Sequence, residues 1–425
     1  MPDLTHGETL DLVHLCTYGD IGGASRATYR LHKGLLELGM RSRLLVGRSA
    51  VADPSVIPVN AGWRGVAKRK LCSGLNEGAK QLYAVRPGRN FSINLGREFS
   101  LSGHPIIRNA DVLTLYWVGN GFFNPSLLKS FHKPVVWRLS DTWPLTGGCH
   151  YPGDCLGYLG ACGGCPQLGR AGENDLSRKG WSSKKEAYRS ANLTVVAPSR
   201  WIADLARESS LLGDKQIVHI PTGVRTDLFK PMDRDALRQK YGLDPKVPYV
   251  LFGAMEALGN PRKGPEILNE ALGLLAHAGR DLELLVFGSD GTDQTHLDHF
   301  RTHYLGRIRE EERLAEIYNL ASVFVAPSLE ENLANTVLES LSCGTPCVAF
   351  NVGGMPDMIR HRENGVLVEE IEPSGLATGI DWVLSHGDWQ QLSSRSRQQM
   401  LENFGMEQQA SRFLALYRTL LIAGE

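Results

Sequence analysis

Short continuous apolar runs recur along the chain, and most are followed by a polar turn and then by a stretch with helical periodicity. Such runs are typical of parallel strands that are buried on both faces. In the first half they lie at residues 10–16, 42–46, 111–116, 133–139 and 193–197. In the second half they lie at residues 249–253, 282–288, 304–306, 321–326 and 347–350. The alternation of strand, turn and helix predicts an α/β protein built on parallel sheets.

The length of the chain bears on its domain organisation. A chain of 425 residues exceeds what one hydrophobic core usually supports and fits two domains. Residues 218–231 hold proline-bounded turns without a long periodic pattern, as a linker would. We therefore predict an N-terminal domain of residues 1–217 and a C-terminal domain of residues 218–405. A last helix, over residues 408–422, carries a stripe of apolar side chains.

Charge and hydrophobicity exclude some classes of protein. Basic and acidic residues are balanced at 46 each, which argues against nucleic-acid binding, a function that usually needs a basic excess. No apolar run is long enough to predict a transmembrane helix. The N-terminal residues lack a basic region followed by a long apolar one, so no secretory signal is expected. We expect a cytoplasmic protein whose eight cysteines are reduced unless they bind metal.

The most informative stretch covers residues 327–350, where two carboxylates flank a predicted helix start. Glu331 lies in the polar loop, and Glu339 lies about one helical turn inside the helix. We predict that the helix begins near Asn335 and Thr336, with Asn335 as its N-cap, and stops at Gly344. Open amides at the helix start suit an anionic phosphate, and the acids suit hydroxyl-rich rings on either side. A nucleotide-sugar has this layout; the alternative is a solvated loop with two surface acids.

Glu331 and Glu339, with seven residues between them, resemble the E-x7-E signature of the family-4 retaining glycosyltransferases, which have the GT-B fold. The resemblance extends to residues 304–327, 351–356 and 364–365. It implies two doubly wound Rossmann-like domains that face each other across a cleft. The N-terminal domain would bind the acceptor and the C-terminal domain the nucleotide-sugar. The last helix, with residues 406–425, would pack back on the first domain.

The resemblance also implies roles for single residues at the donor site. Lys263 and Arg262, beside a predicted helix start, would neutralise charge on the leaving diphosphate, although a solvated helix start is the alternative. Glu331 would contact the transferred sugar, Glu339 the ribose and Arg307 the base. The remaining predicted donor contacts are Gly22, Gly23, Asn332, Leu333, Ala334, Asn335 and Thr336. The chain departs from the family at Ser140, where a His is common, and at Ala254, where an Arg is usual.

Two features of the first half have less specific signals. Asp141 follows the predicted strand 133–139 and is a candidate catalytic contact with acceptor or donor; its alternative role is to cap a turn. The Gly22-Gly23 turn would let the backbone approach a phosphate, and a purely steric turn is equally compatible with the sequence.

Four cysteines, Cys149, Cys155, Cys162 and Cys165, fall in one glycine-rich loop. The CxxC spacing and the low apolar content of the loop favour a structural zinc, with His150 able to replace one thiolate. Free thiols or adventitious disulfides are the alternatives. Similar loops occur in a colanic-acid-like subgroup of bacterial polysaccharide glycosyltransferases, which the chain resembles.

Residues 62–97 combine many basic side chains with interleaved aromatic and aliphatic ones. Such a segment can lie on an anionic membrane surface or hold a phosphorylated acceptor, and a solvated helix pair that covers the sheet is the alternative.

Together these features predict a retaining glycosyltransferase that moves a hexose from a nucleoside-diphosphate sugar to a hydroxyl of a lipid-linked or growing polysaccharide. We expect no cofactor for catalysis. The alternatives are a catalytically inactive nucleotide-sugar-binding protein and, among enzymes, a GT-B epimerase or a glycan phosphorylase.

Overall fold

The structure is a computed structural model that describes residues 8–19, 22–49, 51–59, 62–86, 90–93, 101, 103–254, 258–291 and 297–423. The chain divides into two compact units. The first unit comprises Met1–Pro221 together with Glu407–Glu425, and the second comprises Thr222–Met406. The division falls after Pro221 and not after residue 217, and Met406 counts with the second unit.

The strands and helices alternate along most of the chain. The strands are β1 (Asp11–Tyr18), β2 (Arg41–Arg48), β3 (Val56–Pro58), β4 (Val112–Leu115), β5 (Val135–Arg138), β6 (Leu193–Ala197), β7 (Gln216–His219), β8 (Tyr249–Gly253), β9 (Glu283–Phe287), β10 (Thr302–Tyr304), β11 (Val323–Ala326), β12 (Cys347–Phe350) and β13 (Gly365–Val368). The helices are α1 (Gly22–Glu37), α2 (Trp63–Leu82), α3 (Pro105–Arg108), α4 (Leu176–Arg189), α5 (Arg200–Glu208), α6 (Arg234–Lys240), α7 (Pro265–His277), α8 (Glu311–Leu320), α9 (Asn335–Ser342), α10 (Met355–Met358), α11 (Pro373–Leu384), α12 (Trp389–Asn403) and α13 (Met406–Ile422).

The first unit is built on a seven-stranded parallel sheet in the order β3-β2-β1-β4-β5-β6-β7. Its central strands are buried on both faces, which explains their continuous apolar runs. The C-terminal helix α13 packs on this unit with Phe413 and Tyr417 fully buried. The Tyr417 hydroxyl lies 2.8 Å from Thr114 Oγ1 on β4, so the last helix is fixed to the first sheet.

The second unit is built on a six-stranded parallel sheet in the order β10-β9-β8-β11-β12-β13. The two ends of this unit lie side by side. Val224 N donates to Phe404 O at 2.7 Å, and Met406 N donates to Val224 O at 3.0 Å. The chain therefore leaves this unit next to the point where it enters.

Both sheets reverse their strand order at one point, between β1 and β4 in the first unit and between β8 and β11 in the second. In doubly wound sheets, ligands bind beyond the carboxyl ends of the strands at this switch point. The predicted fold class of two doubly wound Rossmann-like domains is confirmed for each unit.

Three short strands differ from the sequence-based expectation. β7 lies at the start of the segment predicted as a linker, because it pairs with β6 and extends the first sheet. β13 forms where family-like turns were expected, because it pairs with β12 along residues 365–368. β3 at the edge of the first sheet carried too short an apolar pattern to be predicted.

The basic segment forms one helix, α2, over residues 63–82, where a helix pair was the non-functional alternative. Several large apolar side chains of α2 face solvent: Trp63 is 76% exposed, Leu71 67%, Leu75 55% and Leu82 59%. In the part of the chain that the structure describes, no helix combines the length and hydrophobicity needed to cross a bilayer.

Candidate functional site

The clearest charged cluster lies at the switch point of the second unit. Lys263 and Arg262 stand in a short 3-10 turn after β8, and Glu331 stands in the loop after the neighbouring strand β11. The Lys263 ammonium donates to Glu331 Oε2, and Arg262 Nη1 lies 3.4 Å from the same oxygen. Arg262 Nη1 also donates to Glu330 O at 2.6 Å. The sequence-based grouping of these three charged residues is thus what the structure shows.

The carboxylate of Glu331 is ionised at neutral pH. Its burial by itself raises the pKa, but the charges and hydrogen bonds of Lys263 and Arg262 outweigh burial and lower the pKa to about 2. The Glu331 side chain is 10% exposed, whereas Lys263 and Arg262 are 17% and 22% exposed. An ionised carboxylate only accepts hydrogen bonds, so Glu331 can receive them from hydroxyl groups.

Two glycines allow the loops of this site to approach one another. Gly264 has φ +68°, and a Cβ there would lie 2.0 Å from Pro327 O. Gly353 has φ +54°, and a Cβ there would lie 1.7 Å from Glu331 O. Only glycine fits both the left-handed backbone and the contact. The turns after β8, β11 and β12 are therefore held in direct backbone contact around Glu331.

Helix α9 begins directly after this loop, but its cap differs from the prediction. Asn335 is the first helical residue, and Ala334 occupies the N-cap position with extended backbone and no side-chain cap bond. The prediction of Asn335 as N-cap is wrong because the chain enters the helix one residue earlier. At the other end Gly344 has φ +75° and follows the C-cap residue Cys343, as predicted.

The other predicted donor residues lie in different surroundings. Glu339 is 1% exposed on α9, and its Oε2 accepts a hydrogen bond of 2.9 Å from the Tyr318 hydroxyl. Arg307 is exposed and follows β10 at the edge of the sheet, with β9 between that strand and β8. Asn332, Leu333 and Ala334 form the loop that leads into α9, and Thr336 lies in its first turn. Gly22 and Gly23, which were predicted to form a turn, are the first residues of α1 in the first unit.

Asp141 is not an open ligand contact. Its side chain is buried, its Oδ1 accepts from Trp143 N at 2.9 Å, and its Oδ2 lies 2.6 Å from His150 Nδ1. Both carboxylate oxygens are therefore engaged, and the bond from Trp143 N agrees with the turn-capping alternative, while the catalytic contact of Asp141 stays a prediction. The partner His150 also contacts Ser92, whose Oγ lies 2.7 Å from His150 Nε2.

The four cysteines of the glycine-rich loop do not form a zinc site in this structure. Within the described residues, which include all four, no group of three or more His, Cys, Asp or Glu side chains is placed to hold a metal. All four thiols are free, and Cys149 and Cys165 are buried. His150 cannot replace a thiolate here because both of its ring nitrogens are engaged by Asp141 and Ser92.

Hydrogen bonds and a small apolar cluster contact this loop. Asp175 Oδ2 accepts from Cys165 N at 2.8 Å, and Thr146 Oγ1 donates to Cys149 O at 2.7 Å. Lys184 is buried, donates to Trp143 O and Thr146 O, and lies 3.8 Å from the centroid of the Trp143 ring. Burial lowers the pKa of Lys184 to about 7, although nearby thiols and Asp141 oppose this shift. The loop core consists of Phe91, Ile93, Cys149, Cys165, Leu168 and Leu176.

The sequence did not predict the contact between Ser92, His150 and Asp141. Residues 90–92 pair with residues 148–150 through an antiparallel bridge between Phe91 and Cys149. No local periodicity marks such a bridge, because its two segments lie far apart in the chain.

Comparison with known proteins identifies the second unit. Residues 248–386 match the family model described as "Glycosyl transferases group 1". D-inositol 3-phosphate glycosyltransferase 1 from Catenulispora acidiphila is 31% identical over 253 residues, which cover 54% of this chain and 59% of that protein. The match to the Segniliparus rotundus D-inositol 3-phosphate glycosyltransferase, 30% identical, covers 48% of this chain and 47% of that protein. The chain thus spans about half the length of these relatives.

A longer alignment comes from the D-inositol 3-phosphate glycosyltransferase of Xylanimonas cellulosilytica, which is 26% identical over 94% of this chain and 92% of that protein. Among solved structures, sucrose-phosphate synthase from Thermosynechococcus elongatus has a TM-score of 0.69 at 21% identity, covering 97% of this chain and 100% of that one. Anabaena Alr3699/HepE in complex with UDP and glucose has a TM-score of 0.63 at 16% identity, covering 96% and 99%. Residues 248–386 therefore match the group 1 glycosyltransferase model, within a chain that has the GT-B fold.

Proposed function

We propose that the protein transfers a hexose from a nucleoside-diphosphate sugar to a hydroxyl acceptor with retention of configuration at the sugar. The observation that carries the proposal is the convergence of Lys263 and Arg262 on Glu331 at the switch point of the group 1 domain. Two cations beside an ionised carboxylate suit a ligand that joins a diphosphate to a polyol. The related fold of Alr3699/HepE holds UDP and glucose in its crystal structure, which supports a nucleotide-sugar as the donor.

In the proposed complex, Lys263 and Arg262 contact the diphosphate together with the first amides of α9. This arrangement places positive charge where negative charge grows as the glycosidic bond breaks, so it lowers the barrier without a metal. Glu331 accepts hydrogen bonds from hydroxyls of the transferred sugar, and Glu339 from the ribose. Arg307 lies along the base.

Glu331 is a poor general acid because it is ionised down to a pH of about 2. The departing diphosphate is therefore the group that takes the proton of the incoming hydroxyl. The bond from the sugar carbon to the acceptor oxygen forms on the face from which the diphosphate leaves, which retains the configuration. No nucleophilic carboxylate is required, and Asp141 acts on its neighbours and not on the substrate.

For the acceptor, we propose a lipid-linked or growing polysaccharide at the inner face of a membrane, as in the colanic-acid-like subgroup. The exposed apolar residues of α2 carry this part of the proposal. On a helical projection Leu71, Leu75 and Leu82 fall within about 40° of one another, and Lys68 and Lys70, also exposed, lie on either side. A stripe of leucines between lysines suits shallow insertion into an anionic bilayer surface.

A second acceptor class is favoured by the relatives. Two relatives that align over 86% and 94% of this chain are named D-inositol 3-phosphate glycosyltransferases, so a soluble phosphorylated polyol is the competing acceptor. Both acceptors require the same donor chemistry, and only the acceptor contacts in the first unit would differ.

The transfer proposal is tested first by a thermal-shift screen with UDP-, GDP- and ADP-sugars, followed by donor turnover with the best of them. We expect Lys263→Ala and Glu331→Ala each to lower turnover by roughly 10²-fold or more, because each removes a contact to the departing group or the sugar. Lys240→Ala is the matched control, since Lys240 pairs with Glu316 on the exposed surface of the same unit.

Unchanged turnover in both site variants would show that the assigned site is wrong. A protein that binds a nucleotide-sugar tightly but neither hydrolyses nor transfers it would instead be the inactive binding protein, the alternative that the departures at Ser140 and Ala254 keep open.

A structural zinc at Cys149, Cys155, Cys162 and Cys165 stays a prediction. The thiols would have to rearrange to reach tetrahedral geometry, and burial, which raises the pKa of Cys149 to about 12, opposes the loss of its proton. Metal analysis of protein purified without a metal column decides the matter. About one zinc per chain would support the site, and a stoichiometry near zero would remove it.

A further inference from the structure

A polar pocket lies at the switch point of the first unit. It has a volume of about 420 Å³, and its lining includes Thr17, Arg48, Lys80, Asn90, Ser92 and Asn120. Thr17 is near the end of β1, Arg48 ends β2 and Asn120 follows β4. This volume lies within the usual range for small-ligand sites. A larger groove, of about 790 Å³, lies at the opposite, amino-terminal edge of the same sheet and is far from these residues.

Ser92 is the residue of this pocket that the structure holds most firmly. Its Oγ lies 2.7 Å from His150 Nε2, and His150 Nδ1 lies 2.6 Å from Asp141 Oδ2. The backbone is fixed as well, because Ser92 N donates to Gly148 O and the Trp143 indole donates to Ser92 O. The imidazole of His150 is stacked between the rings of Trp117 and Trp143, at centroid distances of 5.5 and 6.4 Å.

The directions of the hydrogen bonds that link Asp141, His150 and Ser92 follow from the chemistry of these three side chains. A carboxylate only accepts, so the proton on His150 Nδ1 points to Asp141. In the neutral imidazole, Nε2 is then an acceptor, and the Ser92 hydroxyl must donate to it. The Ser92 proton is thereby committed, and the lone pairs of Oγ are what the hydroxyl can offer to the pocket.

We propose that Ser92 accepts a hydrogen bond from a hydroxyl of a phosphate-bearing polyol that binds in this pocket. Arg48, which is exposed at the pocket wall, and Lys80, which also pairs with Glu77 at 2.8 Å, attract the phosphate. The amides of Asn90 and Asn120 and the hydroxyl of Thr17 suit further ring hydroxyls. His150 and Asp141 are positioning residues that act through Ser92.

That this ligand is the acceptor rests on the proposed transfer reaction. Its binding in the pocket does not depend on that reaction. The phosphate-bearing polyol can be a soluble molecule or the headgroup of a lipid-linked sugar, and the two sources share the contacts named above.

Calorimetry without any donor tests the site, with D-inositol 3-phosphate as the soluble probe and undecaprenyl diphosphate-linked glucose in detergent micelles as the lipid probe. We expect one of them to bind, Ser92→Ala to weaken it about 10-fold, and Arg48→Ala to weaken it by a similar factor. Arg189→Ala is the matched control, because Arg189 is exposed on α4 of the same unit. Which probe binds identifies the source of the phosphate.

A set of monodeoxy analogues of the binding probe separates a contact from a structural effect. One analogue should bind the wild-type protein about 10-fold more weakly than the parent probe does. The same analogue should bind Ser92→Ala no more weakly than it binds the wild-type protein. His150→Gln should reduce the discrimination between analogues more than it reduces the affinity for phosphate alone.

Binding of neither probe would overturn the proposal, as would equal affinity in Ser92→Ala and wild type. Equal losses for every analogue in Ser92→Ala would show that Ser92 only supports the fold. Binding of UDP to the wild-type protein is measured in parallel. If UDP does not bind, the proposed transfer reaction is contradicted, whereas the proposed polyol site is unaffected.

Discussion

The carboxyl edges of the two sheets share one strand order and are built in different ways. In the second unit, Lys263 and Glu331 follow neighbouring strands within short turns, and backbone contacts at glycines hold those turns together. In the first unit, Ser92, His150 and Asp141 come from segments that an antiparallel bridge and a long cysteine-rich loop bring together.

The difference shows how one topology can carry two kinds of site. In the second unit, backbone contacts between loops fix charged side chains at the switch point, where we propose that a diphosphate binds. In the first unit, long loops bury a polar network and present a hydroxyl to an adjoining pocket. The rigid part of each site is thus the glycine contact in one unit and the hydrogen-bonded loop in the other.

The largest effect should come from filling the glycine contact of the second unit. We expect Gly353→Ala to lower the free energy of unfolding by about 3 kcal/mol or more, because its Cβ would overlap Glu331 O. Gly279→Ala is the control, since it has φ +72° with open space around it and should cost only about 1–2 kcal/mol. Thermal and urea unfolding measure both; equal losses would mean that the close contact is unimportant.

The next largest effect should be the pH dependence of the stability that Glu331 contributes. The pKa of Glu331 is lowered from 4.5 to about 2 in the fold, so its ionisation stabilises the native state above pH 4.5. That contribution, about 3 kcal/mol at most, is lost as the pH falls from 4.5 toward 2. Unfolding of wild type and Glu331→Gln between pH 6 and pH 3 should show a difference that shrinks with acid. A difference that is constant with pH contradicts the assignment.

A smaller effect should follow from loosening the loop of the first unit. Asp175 caps α4 through Ser177 N and Arg178 N and also holds Cys165 N, all while buried. Asp175→Ala should therefore cost about 2 kcal/mol. Asp233→Ala, which removes an exposed cap of α6 in the second unit, should cost about 1 kcal/mol. Similar losses in the two variants would show that the cysteine-rich loop does not depend on Asp175.

The smallest change in stability should come from the exposed face of α2. Leu71→Gln with Leu75→Gln should alter the free energy of unfolding by less than about 0.5 kcal/mol. The same double variant should lose flotation with anionic liposomes, as should replacement of Lys68 and Lys70 by Ala. Leu274→Gln, on an exposed position of the second unit, is the matched control. Undiminished flotation would remove the membrane-contact proposal.

The second unit could largely be predicted because its information is local. The apolar runs of β8 and β12 coincide with the observed strands, and the residues that follow β8 and β11 are neighbours by topology alone. Lys263 and Glu331 could be placed at one site because the resemblance to the family implied it. The N-cap of α9 could not be predicted, since Ala334 and Asn335 are adjacent and the sequence pattern does not decide at which of them the helix begins.

The first unit resisted prediction where contacts are distant in sequence. The pairing of Ser92 with His150 depends on closing a loop between segments 90–92 and 148–150, and no periodicity reports such closure. The contact of Asp141 with His150 could not be predicted for the same reason, because His150 lies in another turn. Edge strands such as β3 are too short for their apolar pattern to stand out.

The adjacency of Val224 to Phe404 and Met406 makes the second unit a self-contained cassette. Because the two ends of residues 222–406 lie side by side, this segment can be removed as one continuous piece. It can also be exchanged for the same segment of a relative without disturbing the first unit. Chimaeras made at these two junctions would exchange the proposed donor site while keeping the proposed polyol pocket of the first unit.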